Sequence, residues 1–308
     1  MEKIKIITDS TADLPMEIIK KYDIEVLPLT VHFGDESYLD GIDIKFNEFL
    51  EKMKASEVFP TTSQINPQRF HDCFNGYINQ GYKIISIHLS SKLSGTYQSA
   101  CIARDMLESE DIVVIDSLNV TSGLGLLVLK ACKLKDQGMA AKDIEKKILE
   151  SIPHVKSALA FESLENLVKG GRLSKTAGMI GNLLGIRLIL EIKDGELALM
   201  DKVRGSKKAA KTILDYVDKK GIKEDETSII LQVENKDVRE ALTENMTERC
   251  AEFIECEVGC VVGTHSGTGA CGIFFIEEYW FWNISVKNLS IWLLKIQKSY
   301  SIFKIFNI

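Results

Sequence analysis

The 308-residue sequence predicts two α/β domains built on parallel or mixed sheets flanked by helices. Three observations lead there. Short apolar runs alternate with helix-period segments through the first half, the pattern of strands joined by crossover helices. The length favours two domains over one. The chain also changes character near residue 156: all five prolines lie before it, and a fresh strand-like run begins just after it. This reading gives a first domain over 1–156, a second over 157–278 and an atypical tail over 279–308.

Each element has its own signal. Residues 4–7 form a strand, and Asp9, Ser10 and Thr11 supply turn and N-cap chemistry before a helix over 15–22. Residues 24–33 read as one strand, with Pro28 marking an edge or a bend. Pro60-Thr61-Thr62-Ser63-Gln64 reads as a loop before a helix over 67–74. A strand over 83–89 leads into a helix over 96–107, on which Ala100, Ala103 and Leu107 share a face. A further strand over 111–117 precedes a helix over 123–136.

In the second half, residues 157–161 start a strand, and a helix over 163–169 stops at Gly170-Gly171. Asp194-Gly195 between two alternating runs is a strong hairpin signal. A helix over 207–219 has apolar residues at Ala209, Ala210, Ile213, Leu214 and Val217. Then come a strand TSIILQV, another helix, and a strand over 258–262 that ends in the glycine-rich turn 263–269.

Composition narrows the function. A net charge of −6 argues against a long nucleic-acid groove. No basic segment followed by an apolar one opens the chain, and the uncharged run over 117–129 is too short to span a bilayer; the expectation is cytoplasmic. Seven cysteines, an odd number without a CxxC pair, read as reduced thiols. The histidines are scattered and no group has metal-ligand spacing, so no metal and no cofactor are expected. The tail holds all three tryptophans and four lysines but no acid. It admits two readings, a helix for a membrane surface or partner, or a non-native extension past an end near Glu278. Its resemblance to translated AT-rich sequence favours the second, with transient membrane-surface contact as the other outcome.

Three hydroxyl-rich stretches carry the chemistry. Ser94-Gly95-Thr96 follows a strand and opens a helix, where the loops of an α/β sheet make the ligand crevice and unpaired N–H groups suit a carboxylate or phosphate. Simple capping by Ser94 is the plainer alternative. The stretch lacks the Gly-x-Ser-x-Gly of a hydrolase elbow and the Gly-Lys-Ser/Thr of a phosphate loop. The second stretch is the 60–64 loop; the third is the turn containing Thr264 and His265. Arg172 and Arg204, each beside glycine, are candidates to pair with an anion or to sit solvated at the surface.

Taken in order, IITDSTADLP, FPTTSQ, SIHLSSKLSGTYQSA, VIDS, GGRLS, KDGEL with KVRGSKKA, and GTHSGTGACGIFF resemble the DegV family of bacterial fatty-acid-binding proteins over residues 3–278. The resemblance implies two DegV-like domains with a lipid tunnel between them. It implies a long-chain fatty acid such as palmitate, its carboxylate held by Thr62 and Ser94, with Thr61, Ser63, Gly95, Thr96, Thr264 and His265 in supporting loops. Arg172, Arg204 and His265 match positions near the mouth, where relatives dock a dihydroxyacetone-kinase-like fatty acid kinase subunit. That partner forms the acyl phosphate with ATP, so this chain is expected to present substrate and not to be an enzyme itself. Two alternatives are a self-contained acyl or phosphoryl transferase using His265 or Arg172, and a lipid-sensing regulatory module. Thr268 and Leu188 stand where the family commonly has proline, which is expected to loosen two turns.

Overall fold

The computed structural model describes residues 2–173 and 185–279. The tail, from residue 280 on, lies outside the described residues, and with it the extension reading. Strand β1 (Ile4–Asp9) is buried along its whole length, as a central parallel strand is. After a 3-10 turn at Ser10–Ala12, helix α1 (Met16–Tyr22) carries the chain back to β2 (Glu25–Leu27), parallel to β1. Strands β3 (Thr30–Phe33) and β4 (Glu36–Leu39) pair antiparallel. After α2 (Phe46–Ala55), β5 (Thr61–Ser63) joins them in a small sheet of order β4-β3-β5. Helix α3 (Pro67–Ile78) leads to β6 (Lys83–His88), and α4 (Thr96–Leu107) to β7 (Ile112–Asp116). These complete an all-parallel sheet, β2-β1-β6-β7.

Helices α5 (Ser122–Asp136) and α6 (Ala141–Ser151) precede the second half. It comprises β8 (Val155–Phe161), α7 (Glu165–Lys169), β9 (Ile186–Lys193), β10 (Glu196–Arg204), α8 (Ser206–Lys220), β11 (Ser228–Val233), α9 (Lys236–Glu248), β12 (Phe253–Glu257), α10 (Cys260–Ser266) and β13 (Ala270–Ile276). Its six-stranded sheet is mixed, with order β10-β9-β8-β13-β11-β12. The expected fold class is therefore found: parallel and mixed sheets flanked by helices.

Helix α5 is the layer between the sheets. It is buried continuously from Ser122 to Leu129 and touches β1 and β6 on one side and β8, β11 and β13 on the other. Close approach explains a glycine here: a Cβ on Gly125 would stand 2.8 Å from the Ala12 carbonyl oxygen. A buried polar knot joins the ends of the first two central strands. Asp9 accepts from the Thr11 N–H and hydroxyl with one oxygen and from the Leu89 N–H with the other, which also lies 3.0 Å from His88 Nδ1; His88 Nε2 reaches Ser86 Oγ at 2.6 Å. The knot fixes the two loops that open onto the carboxyl edge of the sheet.

Four expectations need correction. The single strand over 24–33 is two strands in different sheets. Pro28 has no N–H to give a ladder, and the Leu29 N–H donates to Ser10 Oγ instead. The 60–64 loop contains a strand, with Thr62 opposite Val31 of β3. The strand over 258–262 is helix α10, so His265 lies in the last turn of a helix. The first N–H groups there are taken by carboxylates from far away, Asp13 Oδ1 to the Gly259 N–H and Asp40 Oδ1 to the Cys260 N–H, both at 2.8 Å. Leu188, expected in a turn, sits inside β9 opposite Lys202 and Phe161, where proline would cost a ladder bond.

Candidate functional site

A cavity of about 370 Å³ opens where the loops of the parallel sheet meet the second half. Both halves line it: Thr11, Thr62, Leu89, Leu93 and Thr121 from the first, and Leu159, Phe161, Ile192, Leu197 and Val261 from the second, among others. The wall is mainly aliphatic and aromatic, and its volume falls in the range of small-molecule sites, roughly 300–1,000 Å³.

The β9–β10 hairpin covers one side. Asp194 and Gly195 both have positive φ, as a two-residue turn of this hand needs. Its tip is held from across the cavity, where Ser90 Oγ donates to the Gly195 carbonyl at 2.7 Å.

Several polar lining groups lie close together. Thr62 Oγ1 and His265 Nε2 are hydrogen-bonded at 3.0 Å, bridging β5 and α10. Gly170, at the end of α7, makes room for the imidazole: a Cβ there would fall 2.1 Å from His265 Nδ1. Arg172 follows, its Nε donating to the Leu93 carbonyl at 3.3 Å and Nη1 to the Gly170 carbonyl at 2.5 Å. Ser94 comes next to Leu93. Its Oγ accepts from the Thr96 N–H at 3.3 Å and lies 3.0 Å from Thr96 Oγ1, so the capping contact and the cavity-lining position coexist. Gln64 packs against Gly95, where a Cβ would stand 2.1 Å from its Oε1, and its Nε2 donates to Ser99 Oγ at 3.0 Å.

Burial, helped by the nearby Arg172 charge, lowers the His265 imidazole to about 4. It is neutral near pH 7, with Nδ1 buried and unpartnered among the described residues. A bare acceptor at Nδ1 costs less than a bare N–H, which places the proton on Nε2, donating to Thr62. The Thr62 hydroxyl then has its own hydrogen free to donate into the cavity. Burial also lowers Arg172, which remains a guanidinium cation. The set therefore offers hydroxyl donors and one fixed positive charge, chemistry for an anionic head group above an apolar body.

Of the residues singled out from the sequence, Thr62, Ser63, Ser94, Gly95, Arg172 and His265 border this cavity together. The Ser63 hydroxyl is nonetheless bonded to His32 Nε2, at 2.7 Å. The others do not line it. Thr61 is exposed, Thr96 is buried under Ser94, the Thr264 hydroxyl donates to the Cys260 carbonyl within α10, and Arg204 is exposed on β10. Gln64 was within the quoted motif but not singled out, and Thr11 and Thr121 carried no signal beyond turn propensity. Among the described residues no group of His, Cys, Asp or Glu is arranged to hold a metal, and no helix is long and apolar enough to cross a membrane.

Known proteins resemble this chain throughout the described fold. A family model described as "Uncharacterised protein, DegV family" matches residues 3–278. A DegV domain-containing protein of Clostridium acetobutylicum is 63% identical over 279 residues, covering 91% of this chain and all of that protein. The crystal structure of DegV, a fatty acid binding protein from Bacillus subtilis, superposes with a TM-score of 0.80 at 31% identity, over 90% of this chain and all of the other. The Fak B3 protein of Streptococcus pneumoniae fatty acid kinase, loaded with linoleic acid, gives a TM-score of 0.79 at 27% identity, again over 90% of this chain and all of the other.

Proposed function

The chain belongs to the DegV family, and from that premise we propose that it binds one long-chain fatty acid, such as palmitate, and presents the carboxylate to a partner kinase. The observation that carries this reading is the cavity itself, an apolar chamber with hydroxyls, a neutral imidazole and one arginine on its wall.

The energetics suit a lipid. A sixteen-carbon chain buries about fifteen methylene or methyl groups at about 0.8 kcal/mol each, so the chain supplies most of the affinity. A buried carboxylate is costly unless hydrogen-bonded. Thr62 and Ser94 are assigned to that task, with Arg172 balancing the charge. The hydroxyls set which end of the lipid faces the opening, and no step requires them as nucleophiles.

For the chemistry, a carboxylate oxygen attacks the terminal phosphorus of ATP held by a dihydroxyacetone-kinase-like partner. An acyl phosphate forms and ADP leaves. Arg172 then faces the larger charge of the product. Arg204, exposed on β10 and outside the cavity, is assigned to the partner surface. Titration with palmitate tests the head-group assignment. Thr62→Ala and Ser94→Ala are each expected to weaken binding about tenfold to a hundredfold, the worth of a hydrogen bond to a charged group. Unchanged affinity in both variants would overturn it. ATP consumption by the isolated chain with palmitate, without any partner, would instead mark it as an enzyme in its own right.

A further inference from the structure

The helix that carries His265 begins on two buried carboxylates. Asp13, in the left-handed conformation after the 3-10 turn, accepts from the Gly259 N–H with Oδ1 and from the Thr121 hydroxyl with Oδ2. Asp40, after β4, accepts from the Cys260 N–H with Oδ1. Its Oδ2 is buried with no hydrogen-bond partner among the described residues. The two acids converge on one α-carbon: a Cβ on Gly259 would stand 3.0 Å from Asp13 Oδ1 and 3.1 Å from each Asp40 oxygen.

Two carboxylates this close, both removed from water, do not both ionise. The charges acting on Asp13 are those of Asp40 and Asp9, of its own sign, and burial adds to them, pushing Asp13 well above the usual carboxylate range. Asp40 is also raised by burial, although the nearby Ser10 hydroxyl and the Cys260 N–H favour its charged form. The Cys256 and Cys260 thiols facing the pair are held protonated by burial and by these same acids. Lys45, Glu25, Glu255 and Glu257 also border the adjoining cavity, so acids outnumber the lysine there.

We propose that Asp13 and Asp40 are positioning residues that share a single proton and together latch the start of α10, holding His265 and the cavity wall of that helix in place. The inference rests on the fatty-acid reading for its consequence, though not for its geometry. With one proton held by the pair, a single charge remains beside Gly259 and both helix N–H groups keep their acceptors. Loss of the proton puts two like charges on one side of Gly259. Separating the 10–13 turn or the Asp40 turn from α10 relieves them, and α10 carries Val261, Val262 and His265 of the cavity. The folded chain binds this proton more tightly than the unfolded chain does. The latch is therefore firmest at acid pH, below the usual carboxylate range, and weakens as pH rises through the raised value.

Asp13→Asn mimics the protonated state, since its amide oxygen still accepts from Gly259 and asparagine tolerates the left-handed backbone. The first measurement is release of bound palmitate to vesicles of phosphatidylcholine at about pH 6 and about pH 9. The wild type is expected to release about tenfold faster at the higher pH. Asp13→Asn is expected to stay slow at both. The second measurement is hydrogen exchange of α10 amides as a wild-type to Asp13→Asn ratio at each pH, which cancels the intrinsic pH dependence and needs no ligand. That ratio is expected to rise with pH. A ratio that stays flat overturns the latch, whatever palmitate does. A rising ratio in a chain that binds no palmitate supports the latch and rejects the fatty-acid reading instead. Should Asp13→Asn fail to fold, Asp40→Asn carries the same test, with the same flat ratio overturning it.

Discussion

Thr62 and His265 define the site at the scale of single residues. If Thr62 acts through its hydroxyl, Thr62→Ser retains palmitate affinity within about threefold while Thr62→Val loses it about tenfold or more, as isothermal titration would show. His265 gives a prediction in pH. Its folded value, about 4, lies below the 6.5 of the free side chain, so the unfolded chain binds its proton more readily. The stability it contributes is complete above pH 6.5 and is lost as pH falls toward 4. The loss amounts to about 3 kcal/mol, at 1.36 kcal/mol per unit. Unfolding midpoints should decline over that window in the wild type, with His265→Asn flattening that part of the profile. Thr62, Ser94, Arg172 and His265 were legible in the sequence because their motifs ran in family order. The Thr62–His265 bond was not, because 203 residues separate the pair. Nor was the bond from the Cys260 N–H to Asp40, since nothing in the sequence brings residue 40 to residue 260.

At the scale of elements, local signals held where local energetics decide. The hairpin at Asp194-Gly195 and the helix Thr96–Leu107 formed as read. Helix α10 shows the opposite case. Its β-branched valines and flanking glycines read as a strand, but two distant carboxylates cap its first turn, and tertiary context overrides propensity. At the junction of α7 and α10, backbone space sets where the His265 ring can lie. Gly170 has ordinary helical backbone angles, so Gly170→Ala adds only a methyl group, which lands on His265. That variant should fold with near-native circular dichroism and bind palmitate about tenfold more weakly by displacing the imidazole from Thr62. Gly272→Ala in β13 should be far worse for folding. Its Cβ would meet the Ala158 carbonyl oxygen at 2.1 Å and the Leu159 Cα at 2.6 Å, in the centre of the six-stranded sheet. The β8 backbone cannot yield there, and urea unfolding should show a loss of about 3 kcal/mol or more.

For the whole molecule, alternation of strands and helices gave the fold class, and the structure adds how the sheets are joined: one buried helix, α5, lies between them. The family match ends at residue 278, where the tryptophan-rich tail begins. A chain ended after Glu278 should therefore fold and bind palmitate as the full chain does, and severe loss of either would show that the tail belongs to the working protein. The most direct test of the account is native mass spectrometry of the full chain purified from bacteria, before and after delipidation and re-addition of palmitate. The account predicts one long-chain fatty acid per chain, removed by delipidation and restored by palmitate. A chain that carries no fatty acid and takes up none when palmitate is supplied would contradict it.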